Sequence, residues 1–213
     1  MKTSELVTLL ATSAEPVDRR AGVRRVGTAI VLGLLGAAVL MQMLLGLNPG
    51  LRAAMTLPMF WVKLTFIAAV LTAGAVTALR LAKPGARLAR LPALIGAPLV
   101  AVWALAVVVL AHADAADRAQ LVLGQTWRTC PFNITVLSVP AFFATFWAMK
   151  GLAPTRLRLA GAGAGLLAAA TGTLIYTLHC PELAAPFLGI WYVLGMLIPT
   201  LIGAAIGPRV LRW

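Results

Sequence analysis

Charge is what this chain has least of. Lys, Arg, Asp and Glu make up 11% of its 213 residues, where soluble domains carry about 25%. With 61% hydrophobic residues and a mean hydropathy of +0.94, a water-soluble fold of this length is excluded. Acidic residues are scarcest: Glu5, Glu15, Asp18, Asp114, Asp117 and Glu182 are the six. None falls at the centre of an apolar run, where ion-coupled transporters usually place one, so secondary transport loses support. There is no CxxC pair, nucleophile elbow, phosphate-binding glycine loop or zinc motif. The chain is therefore expected not to be an enzyme and to require no cofactor.

What is present is apolar sequence in long runs. Six segments are each long enough to cross a bilayer, at approximately 27–47, 58–79, 92–112, 133–149, 159–178 and 186–207. The expected fold is all-α, a polytopic membrane protein of six transmembrane helices. Residues 1–26 form an N-terminal segment, 27–207 the bundle and 208–213 a tail. The first run is too long for a signal h-region of about 7–15 residues, so it is expected to stay as a membrane helix. Pro98, Pro140 and Pro199 fall inside runs and predict bends. Gly161, Gly163 and Gly165 predict close helix approach in the fifth.

Orientation follows from the eighteen Lys and Arg. Fourteen fall on one side: Lys2, Arg19, Arg20, Arg24, Arg25, Arg80, Lys83, Arg87, Arg90, Lys150, Arg156, Arg158, Arg209 and Arg212. Only Arg52, Arg118 and Arg128 fall in the opposite loops, with Lys63 just inside the second run. The positive-inside rule makes both termini cytoplasmic. The net charge of +12 then reports topology, and no direct nucleic-acid contact is expected. Trp61, Trp103, Trp127, Trp191 and Trp213 are read as interfacial anchors. Lys63 is expected to snorkel outward, the alternative being an amine that faces the bundle interior.

Both cysteines occur as Cys-Pro, in "RTCPFN" around Cys130 and "TLHCPEL" around Cys180, and the topology puts both on the outer side. Proline suits the first helical position, which predicts a cysteine near the start of the fourth helix and another at the start of the sixth. Thiols there lie near a positive dipole end and are more acidic. Arg128 would add to this. Three readings stay open: a plain disulfide, thiols that an oxidant bridges, and a soft-metal site. For the last, His112, His179, Met41, Met43, Met55 and Met59 also fall toward the outer side, and thiolate, imidazole and thioether suit a soft ion such as copper at Cys130 and Cys180.

The N-terminal segment "MKTSELVTLLATSAEPVDRRAGVRR" predicts a short helix capped by Thr3 or Ser4, with Glu5 in its first turn. Leu6, Leu9 and Leu10 share one face, and Pro16 ends the element. So short a helix is marginal alone. It suits either the membrane surface or a partner's groove.

Taken together, these elements resemble the NrsF-type integral-membrane anti-sigma factors, negative regulators of an extracytoplasmic-function sigma factor. The resemblance spans nearly the whole chain. It is carried by "ELVTLLATSAEPV", "MFWVKLTF", "CPFNITVLSVPAFFATFWAMKGLAPTR", "LIYTLHCPELAAPFLGIWYVLG" and "IGPRVLRW". It implies a protein of the bacterial inner membrane that holds a sigma factor at the cytoplasmic face. It also implies that Cys130 and Cys180, on the periplasmic side, sense oxidative or heavy-metal stress. The sigma contact it implies is the N-terminal segment, with Leu6, Leu9, Leu10, Pro16, Val17, Arg19 and Arg20. A membrane thiol oxidoreductase and a small metal transporter are the competing classes; the first lacks a close cysteine pair in sequence, the second lacks mid-membrane polar groups.

Overall fold

A computed structural model of the chain describes residues 3–12, 20–83, 85–86, 89–152 and 154–212, without the side chains of Leu6, Leu9 and Leu10. Lys2, Pro16, Val17, Arg19, Arg87 and Trp213, along with those three leucine side chains, lie outside the described residues. The elements are α1 (Thr3–Thr12), α2 (Ala21–Leu44), α3 (Leu51–Ala54), α4 (Pro58–Leu81), α5 (Leu91–His112), α6 (Arg118–Leu123), α7 (Cys130–Lys150) and α8 (Leu157–Tyr176). The last helix runs Ala185–Val210 in three parts: α9 (Ala185–Phe187), a π-helical turn (Leu188–Tyr192) and α10 (Val193–Val210). No strand occurs among the described residues.

Six of these helices are long and apolar enough to cross a membrane: α2, α4, α5, α7, α8 and the Ala185–Val210 helix. Helices are the natural solution in hydrocarbon, since every backbone bond closes within the segment. Buried hydroxyls follow the same rule. Thr77, Ser138, Thr171 and Thr173 each donate to the carbonyl four residues back, at 2.7, 2.6, 2.8 and 2.7 Å. Large apolar side chains such as Leu35, Val107, Phe132, Phe143 and Leu201 point out of the bundle, as a lipid-facing belt requires.

The boundaries differ in detail from the hydropathy reading. α2 starts at Ala21 rather than near 27, because the helix continues through Arg24 and Arg25 beyond its apolar part. The α5, α7 and α10 helices continue through Pro98, Pro140 and Pro199. Gly36 on α2 leaves room for the Pro140 ring, which a Cβ there would meet at 2.6 Å.

α8 is the most buried span and α5 the least. The reason is the glycine content of α8. Gly161 and Gly165 sit against the backbone of Gly203 and Pro199 on α10, and Gly203 and Gly207 face the carbonyls of Gly161 and Leu157 in return. Two small-residue pairs at i, i+4 spacing thus lock backbone to backbone. Gly163 faces the other way, toward Thr77 and Leu81 on α4.

With an even number of spans, both ends of the bundle helices' chain lie at one end. That end also gathers the 82–90 and 151–156 connections, with Lys83, Arg90 and Arg156. The opposite end is built from residues 45–57, 113–129 and 177–184.

Candidate functional site: a buried thiol pair

Cys130 opens α7. Its N–H donates to the Thr126 carbonyl at 2.9 Å, and Pro131 follows in the first turn, where no donor is needed. That half of the Cys-Pro expectation holds. The other half does not. The Cys180 N–H donates to the Tyr176 carbonyl at 3.0 Å, so Cys180 completes the last turn of α8. Pro181 lies in the irregular stretch that follows, and Pro186 opens the next helix. Cys180 therefore sits beyond a helix C-terminus, where the dipole does not favour an anion.

The two cysteines meet nonetheless. Both are free thiols and both are buried, at 0% and 3% exposure, so they do not face outward to solvent as an outer-loop position suggested. They pack in one core cluster, close enough for each thiol to act on the ionisation of the other. Two aromatic hydroxyls close the pocket. Tyr176, on α8, contacts Cys130 and Asn133. Tyr192, on the π-helical turn, faces Cys180, fully buried and without a hydrogen-bond partner of ordinary geometry. Burying an unpaired hydroxyl costs about 1–3 kcal/mol. Thr126 Oγ1 lies 3.9 Å from the Cys180 sulfur.

Lys63 is the third component. It is fully buried, so the outward-snorkelling expectation is wrong and the interior alternative is right. Its Nζ donates to the Cys180 carbonyl at 2.9 Å and the Glu182 carbonyl at 3.1 Å, and it lies 5.1 Å from the centre of the Tyr192 ring. Carbonyl oxygens and an aromatic face are contacts that suit an ammonium. Isolated burial of such a charge costs several kcal/mol. No carboxylate bonds the amine among the described residues: Glu182 reaches it through its backbone oxygen. The Glu182 carboxylate instead accepts from the Gln125 N–H at 2.7 Å and the Thr126 hydroxyl at 3.5 Å.

These neighbours set the state of Cys180. The adjoining Cys130 thiol pulls its thiol down, to about 5; burial opposes this, and the Lys63 charge, the Tyr192 hydroxyl and the Glu182 N–H assist it. The acidifying groups are thus a second thiol and a lysine, in place of the helix dipole inferred from Cys-Pro.

The other expected site residues scatter. His179 is half-buried, with Nδ1 3.0 Å from the Gly46 carbonyl and its ring 5.8 Å from Tyr176. Met41 is buried in the cluster that holds both cysteines. Met43 and Met55 are exposed, and Met59 is half-buried. His112 is exposed and bonds the Val108 carbonyl of its own helix. Arg128 is exposed and stacks 5.0 Å from the Trp127 ring. Arg20 lies at the opposite end, just before α2. Among the described residues, no three of His, Cys, Asp and Glu gather as a metal-binding group would require.

Tyr176, Tyr192, Glu182 and Thr126 gave no signal as a group in sequence, being scattered and individually ordinary. Two of the tryptophans read as interfacial anchors also make long-range hydrogen bonds. Trp103 donates to the Gly189 carbonyl at 2.8 Å and Trp191 to the Val122 carbonyl at 2.8 Å. They tie the π-helical turn, and with it Tyr192, to α5 and α6.

A family model described as NrsF, Negative regulator of sigma F, matches residues 10–213. The chain is 46% identical over 213 residues to a protein of Azospira oryzae named Probable anti-sigma-F factor NrsF, with the whole of both chains covered. It is 37% identical over 217 residues, again with both chains covered in full, to the Anti-sigma-F factor NrsF of Caulobacter vibrioides. No solved structure matches. A match that runs through all six spans and the thiol pocket leaves one conclusion: the chain belongs to the NrsF family of negative regulators of sigma F.

Proposed function

We propose that the protein is a membrane-bound anti-sigma factor that holds an extracytoplasmic-function sigma factor at the cytoplasmic face and releases it when Cys130 and Cys180 are oxidised on the periplasmic side of the inner membrane. Family membership supports the regulator. The excess of Lys and Arg around α2, α8 and the 82–90 connection supports the sidedness. The observation that carries the sensing role is the pairing of the two cysteines in one buried pocket. The oxidoreductase reading is disfavoured by the same burial, because an exchange enzyme must present a sulfur to its partner.

A hydroperoxide balances the step. The Cys180 thiolate attacks the peroxide oxygen, the O–O bond breaks, and hydroxide or an alkoxide leaves. The sulfenic acid formed is attacked by the Cys130 sulfur, which loses its proton; water leaves and the S–S bond closes. The two sulfurs then draw in to about 2.05 Å, pulling the start of α7 toward the segment that leads into the sixth span. Both helices continue to the basic end, where the sigma factor is held. Oxidation suits the pocket better than capture of a soft cation such as copper: only two thiols gather, and the lysine charge opposes a further cation.

At the cytoplasmic end the docking segment is α1 and the residues after it. The described side chains of α1 (Thr3, Ser4, Glu5, Val7, Thr8, Ala11 and Thr12) are all exposed. Leu6, Leu9, Leu10, Pro16, Val17, Arg19 and Arg20 are the proposed contacts.

The test is sigma retention on membranes before and after peroxide or copper, in wild type, Cys130→Ser and Cys180→Ser. Release by peroxide in wild type and its loss in both variants is the expected outcome. Unchanged release in either variant removes the sensing role, and release by copper alone reassigns the stimulus.

A further inference from the structure

The family and the cysteines leave Lys63 unexplained. A lysine on a membrane helix usually finds water at the nearest interface, and Lys63 is little more than one turn from the outer end of α4. It turns inward all the same, and is as buried as any apolar core residue. Its partners come from elsewhere in the chain: the carbonyls of Cys180 and Glu182 on either side of Pro181, and the Tyr192 face. A second observation points to the same pocket. The Tyr192 hydroxyl is fully buried on the π-helical turn beside Cys180, with no hydrogen bond of ordinary geometry among the described residues. Such turns recur at functional sites.

We propose that Lys63 is the positioning residue of the thiol pair: its amine clips the Cys180–Glu182 segment to α4, holds Cys180 beside Cys130, and supplies the charge that keeps Cys180 the attacking sulfur toward a hydroperoxide. This rests on the sensing role proposed above and adds to it the group that positions the pair and contributes a charge beside it.

The electrostatics are consistent from every side. Cys130 on α7, Tyr176 on α8, Tyr192 on the last span and Lys63 on α4 are the ionisable groups that act on the Cys180 sulfur, with Glu182 beside it in the same segment. Lys63 is the one cation among them. Its geometry explains why the segment between α8 and the last span is irregular. Pro181 has no N–H to continue α8, and the two carbonyls flanking it are turned to the amine instead of to a helix. A lysine at this position therefore has two separable effects. It holds a backbone conformation, and it places a positive charge near a thiol.

The experiment uses the full-length chain in lipid nanodiscs as wild type, Lys63→Met and Lys63→Arg, each with a Cys180→Ser counterpart as blank. Ultraviolet thiolate absorbance is followed against pH, and Cys130–Cys180 disulfide formation with hydrogen peroxide is timed by mass spectrometry of trapped peptides. In wild type the thiolate persists into mildly acid solution. Lys63→Met moves its midpoint up by about one to three pH units and slows disulfide formation at neutral pH at least about tenfold. Lys63→Arg keeps the charge and hence the low midpoint, while its planar fork bonds the two carbonyls differently and slows closure of the bridge. A wild-type midpoint in the ordinary thiol range near about 8.5, or superposing wild-type and Lys63→Met profiles, overturns the proposal. Should Lys63→Met fail to fold, the wild-type midpoint and the Lys63→Arg rate still decide it. Sigma release is not read here, so a confirmed Lys63 effect beside unchanged release in Cys180→Ser would reject the sensing role alone.

Discussion

Gly124 and Gly46 both adopt positive φ, at 55° and 73°, yet only one is hemmed in. Gly124 also has ψ −158°, a region essentially closed to side chains, and a Cβ there would meet the Glu182 carboxylate at 2.6 Å. Nothing lies within 4 Å of a Cβ at Gly46. Gly124→Ala is therefore expected to cost about 1–3 kcal/mol in strain alone and to loosen the Glu182 contacts with Gln125 and Thr126. Gly46→Ala should cost about 1–2 kcal/mol and leave the thiol pocket intact. Thermal unfolding in detergent, read beside the rate of disulfide formation, separates the two: only Gly124→Ala should change the rate. Cys180 allows a second test. Its pKa is depressed, so the thiolate is present above the lowered value and lost as pH falls through it, at about 5. Alkylation by a small neutral reagent should stay nearly level between about pH 8 and about pH 6, where an ordinary thiol loses most of its thiolate. A rate that falls steadily across that window would show an ordinary thiol.

Helix α8 is the axis of the bundle, and its contact with α10 is made by backbone. Leucine at Gly161 or Gly203 would place a side chain where the opposing carbonyl lies, and the helices would have to part. Each change is expected to destabilise the protein by more than about 2 kcal/mol. Gly96→Leu on α5, where nothing lies within 4 Å, should be nearly neutral; comparable losses at all three sites would mean that the close approach is not what holds α8 and α10 together. The π-helical turn is held differently. Its Gly189 carbonyl accepts from the Trp103 indole, so Trp103→Phe removes about 1 kcal/mol and leaves a carbonyl unpaired. If the turn positions Tyr192, that substitution should also alter the rate at which the cysteines close.

Across the whole chain, two functions are proposed at opposite ends of one bundle: thiols at one, a docking segment at the other. The sidedness is checked directly by fusion reporters. Alkaline phosphatase fused after Asp117 should be active and after Arg156 inactive, while a fluorescent protein after Trp213 should mature in the cytoplasm. The reverse pattern would invert the membrane orientation and place the cysteines inside the cell. Deleting residues 1–19 should free sigma-dependent transcription without unfolding the bundle, because α1 is exposed and precedes the first span. Persistent repression would move the docking surface to the basic connections between spans.

Six spans, the charge asymmetry between the two ends and the arrival of both cysteines at the same end were legible from residues alone. Bilayer insertion depends on hydropathy summed over about 20 residues, which is a local property. The glycines of α8 were legible for a similar reason, since small residues at helical spacing have one obvious use. What the chain could not announce was rotation. Lys63 lies at a known depth on α4, but only packing decides whether its amine turns toward lipid, water or the bundle; the carbonyls of Cys180 and Glu182 that receive it belong to another helix connection. The Cys-Pro motif misled for the same reason, because one of its two copies begins a helix and the other follows one. Tyr176, Tyr192 and Lys63 acquire their meaning only when α4, α8 and the last span close around the thiols, a set of long-range contacts that no local pattern records.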